Sequence, residues 1–328
     1  MSMKIRILFR CALAALWLGL AGVQPAWAQA YPDRPVRLLM SFSAGSGVDT
    51  FGRLVAQKLA DRLGGSTYVE NKGGAGGIIG IGAMAKAMPD GYTIGLIANT
   101  ATIHQGMRTD LPFDLKEDFA YITLLARGAM VLAVRKDLPA QTLPELVALA
   151  KARPGQLNYG TPGIATPHHL ATELLKHETG MDVLHVPHKG AVEAINGLNN
   201  GSVDFELIAI QSALPHLKSG RIRALAVTTA SRQPVLKDVP TVAEAIGRPD
   251  FEADLWYAIV APARIPPAIA AKLTRELHAI LGTAEVRNIL AEQAMQAAPS
   301  TPEELRALID RDTRKWAKVA REAGIVGQ

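Results

Sequence analysis

The sequence predicts an α/β protein with its strands and helices in alternation and its working surface in the loops between them. Three observations carry this. Short apolar runs rich in β-branched residues recur along the chain. Segments with apolar residues at helical spacing follow them. Glycine-rich or small-residue loops mark several of the junctions.

The first run is Val36 to Phe42, broken by Ser43-Ala44-Gly45-Ser46-Gly47. From Val48 to Leu63, the residues Phe51, Leu54, Val55, Leu59 and Leu63 return at helical spacing. Thr67 to Glu70 is the next strand candidate. The loop Gly73-Gly74-Ala75-Gly76-Gly77 then leads into a small-residue helix over about Ile78 to Ala87. Pro89-Asp90-Gly91 signals a turn before a strand over Thr93 to Ala98.

The middle of the chain continues the pattern. Met130 to Val134 reads as a strand. Thr142 and Glu145 form a capping box for a helix ending near Ala152. Leu157 to Gly160 is a short strand, followed by the loop Thr161 to Thr166 and a helix over Pro167 to Thr179, with proline suited to its first turn. Val183 to Val186, Val203 to Leu207 and Ala224 to Thr228 are further strands. Thr241 with Glu244, and Thr301 with Glu304, mark two more helix starts, and the chain is mostly helical from Pro267 onward. Such alternation predicts parallel sheets covered on both faces.

The N-terminus reads as a cleavable export signal. Lys4, Arg6 and Arg10 precede an apolar stretch from Cys11 to Val23, too short to span a bilayer comfortably, and Ala26-Trp27-Ala28 offers a cleavage site. Cleavage after Ala28 places the mature chain in the periplasm. The formal charge of +5 comes from 35 basic and 30 acidic residues, and three of the basic ones lie in the leader. That leaves 32 against 30, with no basic run interleaved with aromatics, so nucleic-acid binding is unsupported. The one cysteine leaves with the leader, and a mature chain of 300 residues must be held by its core.

The chemistry is expected in the loops after the strands, where helix N-termini aim N–H groups and a positive dipole at a ligand. Ser43 to Gly47 has this form and holds no cation, so an anion there would rest on backbone and hydroxyl donors. Thr161-Pro162-Gly163-Ile164-Ala165-Thr166 repeats the form in the second half. A tight strand–helix turn also needs glycine, so each loop alone is ambiguous; the pair suggests a two-sided clamp. The histidines His168, His169, His185 and His188 lack a zinc-binding pattern, and no metal is expected. Ser46 in Gly45-Ser46-Gly47 lacks the full G-x-S-x-G elbow of a serine hydrolase. The same stretch supplies only the start of a G-x-G-x-x-G dinucleotide loop, with Thr50 at the third glycine position. Asp49 could act as a general base, but at a helix N-terminus it is more simply a dipole-favoured carboxylate. No enzyme activity and no cofactor are expected. A periplasmic sensor domain is the other reading that these residues leave open.

Taken together, the motifs resemble the substrate-binding receptors of tripartite tricarboxylate transporters, the Bug receptors. The match begins at Tyr31-Pro32-Asp33-Arg34-Pro35-Val36-Arg37 and Phe42-Ser43-Ala44-Gly45-Ser46-Gly47-Val48-Asp49. It continues through Val69-Glu70-Asn71-Lys72, Gly74-Ala75-Gly76-Gly77 and Pro89-Asp90-Gly91-Tyr92-Thr93. Later come His169-Leu170, His185-Val186-Pro187, Lys189-Gly190, Val239-Pro240-Thr241, Trp256-Tyr257 and Ala261-Pro262. The resemblance implies a two-lobed, type II periplasmic-binding-protein-like fold with a ligand cleft between the lobes. One lobe would comprise 29–128 and 253–328, the other 129–252. It also implies a small organic-acid ligand, integral-membrane transporter subunits as partners, and a monomeric receptor. The implied ligand-binding positions are Ser43, Ala44, Gly45, Ser46, Gly47 and Asp49 in the first loop. In the other half they are Thr161, Gly163, Ala165, Thr166 and His169, with Lys189 and Gly190 beyond. Departures from the family pattern include Ser43 for proline, Ser46 for glycine, Ile78 for asparagine, Gln105-Gly106 for Asn-Pro and His188 for tyrosine. These bear on which acid is bound rather than on the fold.

Overall fold

The computed structural model describes residues 31–45 and 47–325. The leader and Ser46 lie outside the described residues. Contacts divide the chain at Arg34, and the elements below all belong to the compact unit that begins there.

The chain opens with β1 (Val36–Met40), α1 (Gly47–Leu63), β2 (Thr67–Asn71), a short 3-10 turn at Ala75–Gly77, α2 (Ile78–Ala85), β3 (Thr93–Ala98), α3 (Thr100–Met107) and β4 (Phe119–Gly128). After the single residue Ala129 come β5 (Met130–Arg135), α4 (Leu143–Ala152), β6 (Asn158–Thr161), α5 (Pro167–Thr179) and β7 (Leu184–Pro187). Next are α6 (Ala191–Asn200), β8 (Phe205–Ala209), α7 (Ile210–Lys218), β9 (Ile222–Val227) and α8 (Val242–Ile246). The chain ends with β10 (Leu255–Pro262), α9 (Pro267–Leu281), α10 (Ala284–Glu292), β11 (Met295–Ala297) and α11 (Pro302–Glu322).

These strands make two sheets. The first has six strands in the order β11-β4-β10-β3-β1-β2, and the second has five in the order β7-β6-β8-β5-β9. The expected all-parallel sheets are not found; both are mixed. β1 runs parallel to β2 and β3, and β6 parallel to β7 and β8. In contrast, β10 is antiparallel to β3 and β4, β11 to β4, and β5 to β8 and β9. The reason is how the chain changes sheet. A parallel neighbour needs a crossover helix, but β4 passes into β5 through one residue, and β10 returns from the second sheet through residues 247–254 after the short α8.

The coverage of β5 explains why it reads as an unbroken apolar run. Met130, Leu132 and Val134 enter one core with Leu143, Leu146 and Leu170, while Val131 and Ala133 enter another with Leu198 and Val203. Helix α1 turns Phe51, Val55 and Leu59 inward at four-residue spacing, each no more than 1% exposed. Helix α11 serves two cores: Leu305, Leu308 and Ile309 pack with Trp256 and Phe119 of the first sheet. Farther along the same helix, Trp316, Val319 and Ala320 join the core around Phe205 and Leu207 of the second. Between these two stretches the Trp256 indole N–H donates to Asp312 Oδ2 at 2.8 Å, with both residues buried.

The capping signals resolve into two kinds. Thr241–Glu244 and Thr301–Glu304 close both halves of the capping box. Thr142 makes only half of the box expected there. Its hydroxyl accepts from Glu145 N, but the Glu145 carboxylate takes the N–H of Gln141 at 2.7 Å instead of that of Thr142.

Candidate functional site

The first loop is held from beneath by a carboxylate. Gly45 has φ 81°, and its N–H donates to Asp49 Oδ2 at 2.9 Å. Arg53 Nε reaches the same oxygen at 3.0 Å, and Asn71 Nδ2 donates to the other at 2.8 Å. Asn71 also donates to Phe42 O and accepts from Arg53, tying β2 to the loop. Asp49 is 4% exposed. The Arg53 hydrogen bond, then that of the Gly45 N–H, holds its carboxyl down at about 2. It is ionised, and its oxygens are occupied by the loop and its neighbours. Ser43, Ala44 and Gly45 are exposed, and Gly47 is the first residue of α1. The glycine-rich segment lies close behind: a Cβ on Gly73 would come within 2.9 Å of Ser43 Oγ.

The second loop uses the same device with different chemistry. Ala165 has φ 59°, and its N–H donates to His169 Nδ1 at 3.1 Å. His169 is 4% exposed and stacks on His185 at 4.0 Å between ring centroids, with Tyr159 beyond. Burial pushes both histidines down to about 4, so their rings are neutral near pH 7. Thr161 is buried; its hydroxyl lies 2.6 Å from His185 Nε2 and within bonding distance of both Gly163 O and Gly163 N. Thr166 caps α5 by accepting from His169 N, and its hydroxyl donates to Gly163 O at 2.8 Å. A third loop repeats the arrangement, with Lys189 N donating to Glu193 Oε2 at 2.8 Å before Gly190, φ 137°, starts α6. Lys189 is exposed.

A cavity of about 280 Å³ lies between the loops of the two sheets. The first sheet contributes Ala75 and Gly76 from the 3-10 turn, Ile78 from α2, and Thr100, His104, Met107 and Arg108 from α3 and its end. The second contributes Ile164, Ala165 and Thr166, at the N-terminus of α5. Of the residues expected from sequence, Ala165 and Thr166 therefore line this cavity. Thr161, Gly163 and His169 support them from behind. Ser43, Ala44, Gly45, Asp49, Lys189 and Gly190 lie outside its described lining.

The α3 residues were not anticipated, because no strand or turn signal marked that helix. One signal was available in the glycine-rich loop. A Cβ on Gly76 would fall 2.5 Å from His104 Nε2, so the glycine is there to let the His104 ring approach Gly76 O, 3.1 Å away. Burial lowers the His104 pKa, while Arg108 is forked by the Asp110 carboxylate at 2.9 and 2.8 Å. Among the described residues no group of three or more His, Cys, Asp or Glu is placed to hold a metal ion, and no helix is long and apolar enough to cross a membrane.

Two mixed sheets, the second inserted between strands of the first, with a cavity between their loops and a helix N-terminus opening on it, define the class of type II periplasmic binding proteins. Known structures agree. An R. palustris protein solved with adipate superposes with a TM-score of 0.78 at 33% identity, covering 90% of this chain and 99% of that one. The periplasmic binding protein BugD gives 0.76 at 30% identity, covering 91% and 100%. Protein BugT of Bordetella pertussis is 33% identical over 316 residues, 95% of this chain and 97% of its own. The model of the tripartite tricarboxylate transporter family receptor matches residues 51–325, and the chain belongs to that family. The family consists of solute-binding receptors rather than enzymes.

Proposed function

We propose that this chain, exported by cleavage after Ala28, is a monomeric periplasmic receptor. It captures a small organic acid and delivers it to the integral-membrane subunits of a tripartite tricarboxylate-type transporter. The observation that carries the reading is the N-terminus of the 13-residue helix α5 opening on the cavity, with Arg108 opposite and no acidic residue on the described lining. A helix N-terminus favours an anion through its unpaired N–H groups and dipole. The relative solved with adipate supports a carboxylate as that anion. We assign one lobe to 29–128 and 253–328 and the other to 129–252. On closure of the lobes, the first loop, Ser43 to Gly47, whose residues Ser43 to Gly45 are exposed, contributes main-chain and hydroxyl donors to the carboxylate. Calorimetry on the mature chain should find one acid bound at micromolar Kd or tighter, roughly −8 kcal/mol. Mass spectrometry after long incubation should recover that acid unchanged. Turnover of the acid, or failure of every carboxylate tried to bind, would overturn the proposal.

A further inference from the structure

The composition of the cavity restricts which acid it accepts, an argument that rests on the receptor reading above. Arg108 is the one formally charged residue on the described lining, and Asp110 already pairs with it. His104 supplies no second cation. Its Nε2 faces a carbonyl oxygen, which can only accept, so that nitrogen carries the hydrogen. Burial disfavours protonating the other nitrogen. The hydroxyl hydrogen of Thr166 is given to Gly163 O.

The large uncharged side chains on the walls are Ile78, Met107 and Ile164. Ile78 and Met107 pack against the two cores, which fixes their positions. Ile164 stands 55% exposed on the opposite wall, apolar surface that the protein itself leaves uncovered. The volume of about 280 Å³ suits a small organic acid.

We infer that the ligand is an acid with an unhydroxylated alkyl or aryl body, its carboxylate toward α5, and that Ile78 sets this preference. A hydroxyl laid against Ile78, Met107 and Ile164 gives up water without gaining a partner from those three side chains, and Thr100 is the one other hydroxyl on the described lining besides Thr166. A tricarboxylate brings three charges to one cation that is already paired. An asparagine at position 78 would instead offer a hydroxylated body both a donor and an acceptor.

Calorimetry of the mature protein with adipate, benzoate, malate and citrate tests this, with succinate beside malate as the four-carbon diacid that lacks only the hydroxyl. Adipate or benzoate should bind at least tenfold tighter than malate and citrate. In Ile78→Asn the gap to malate should narrow about tenfold, while Ile78→Leu keeps it, with circular dichroism confirming both folds. Malate or citrate binding as tightly as the apolar-bodied acids, or an unchanged gap in folded Ile78→Asn, overturns the inference and leaves the receptor reading standing. Binding of none of the five acids overturns both.

Discussion

Asp49, His169 and Glu193 do one job in three places: each side chain receives the N–H of the residue four before it and so shapes the loop ahead of its helix. The loops are thereby set before any ligand arrives. Gly45 tests the first of them. A Cβ there would meet nothing within 4 Å, so Gly45→Ala brings no clash, only the strain of φ 81°. That strain, about 1–2 kcal/mol, pulls the loop out of shape without touching the core. Circular dichroism should stay native while acid affinity falls about tenfold; unchanged affinity would remove the first loop from the site. The histidines supply a pH prediction. His168, His169 and His185 are held at about 4 by burial, against about 6.5 when unfolded. Between those values the unfolded chain binds protons that the folded chain refuses, so stability falls as pH drops from 6.5 toward 4. Melting temperature followed over that window should decline. Ligand affinity should be lost near its lower end, because protonated His169 Nδ1 can no longer accept from Ala165. A flat profile would contradict the buried stack.

Among the elements, the helix caps separate into strong and weak by which acceptor the glutamate chooses. Thr301→Ala removes the hydroxyl half of a closed box at the head of α11 and leaves the N–H of residue 301 on the Glu304 carboxylate. Urea unfolding should show a loss of about 1 kcal/mol, and Glu304→Ala, which removes the reciprocal bond, should add to it in the double variant. A double variant no less stable than Thr301→Ala would mean that the reciprocal bond adds nothing. Elements with a strong local signature were legible in the sequence. β3 spans Thr93–Ala98 and α5 spans Pro167–Thr179, as their β-branched run and proline start predict. β4 and β10 were not read as strands, because Ala120, Arg127 and Ala126, or Trp256, Ala258 and Ala261, blur both the alternation and the apolar run. Missing these two strands hid the antiparallel part of the first sheet; in the second, β5, β8 and β9 were all legible, but nothing local marks β5 as running against its neighbours. The site was legible to the same degree. Ala165 and Thr166 stand at a strand–helix junction with recognisable chemistry, whereas His104, Met107 and Arg108 reach the cavity only through the packing of α3, which no local pattern encodes.

At the scale of the whole molecule, α11 ties two cores together, and the placement of β10 sets an order of events. All five strands of the second sheet lie within Met130–Val227, one continuous stretch of chain. The first sheet is split without β10, which sits between β3 and β4 and pairs with both. Until residues 255–262 take their place, β2-β1-β3 and β4-β11 are fragments with bare edges, each short of the strand that joins them. Loop-closure entropy must be met before such distant pairings are rewarded. Refolding should therefore run against chain order, with the sheet built from the middle of the chain maturing before the one that contains the first strand. Pulsed hydrogen exchange during refolding checks this. Amides of β5, β6 and β8 should gain protection ahead of those of β3, β4 and β10, and simultaneous protection of both sets would show the two sheets to be one cooperative unit. A nascent or translocating chain thus spends the whole interval before β10 emerges with the open edges of β3 and β4 exposed, a window in which holding factors can grip it and in which aggregation is most costly.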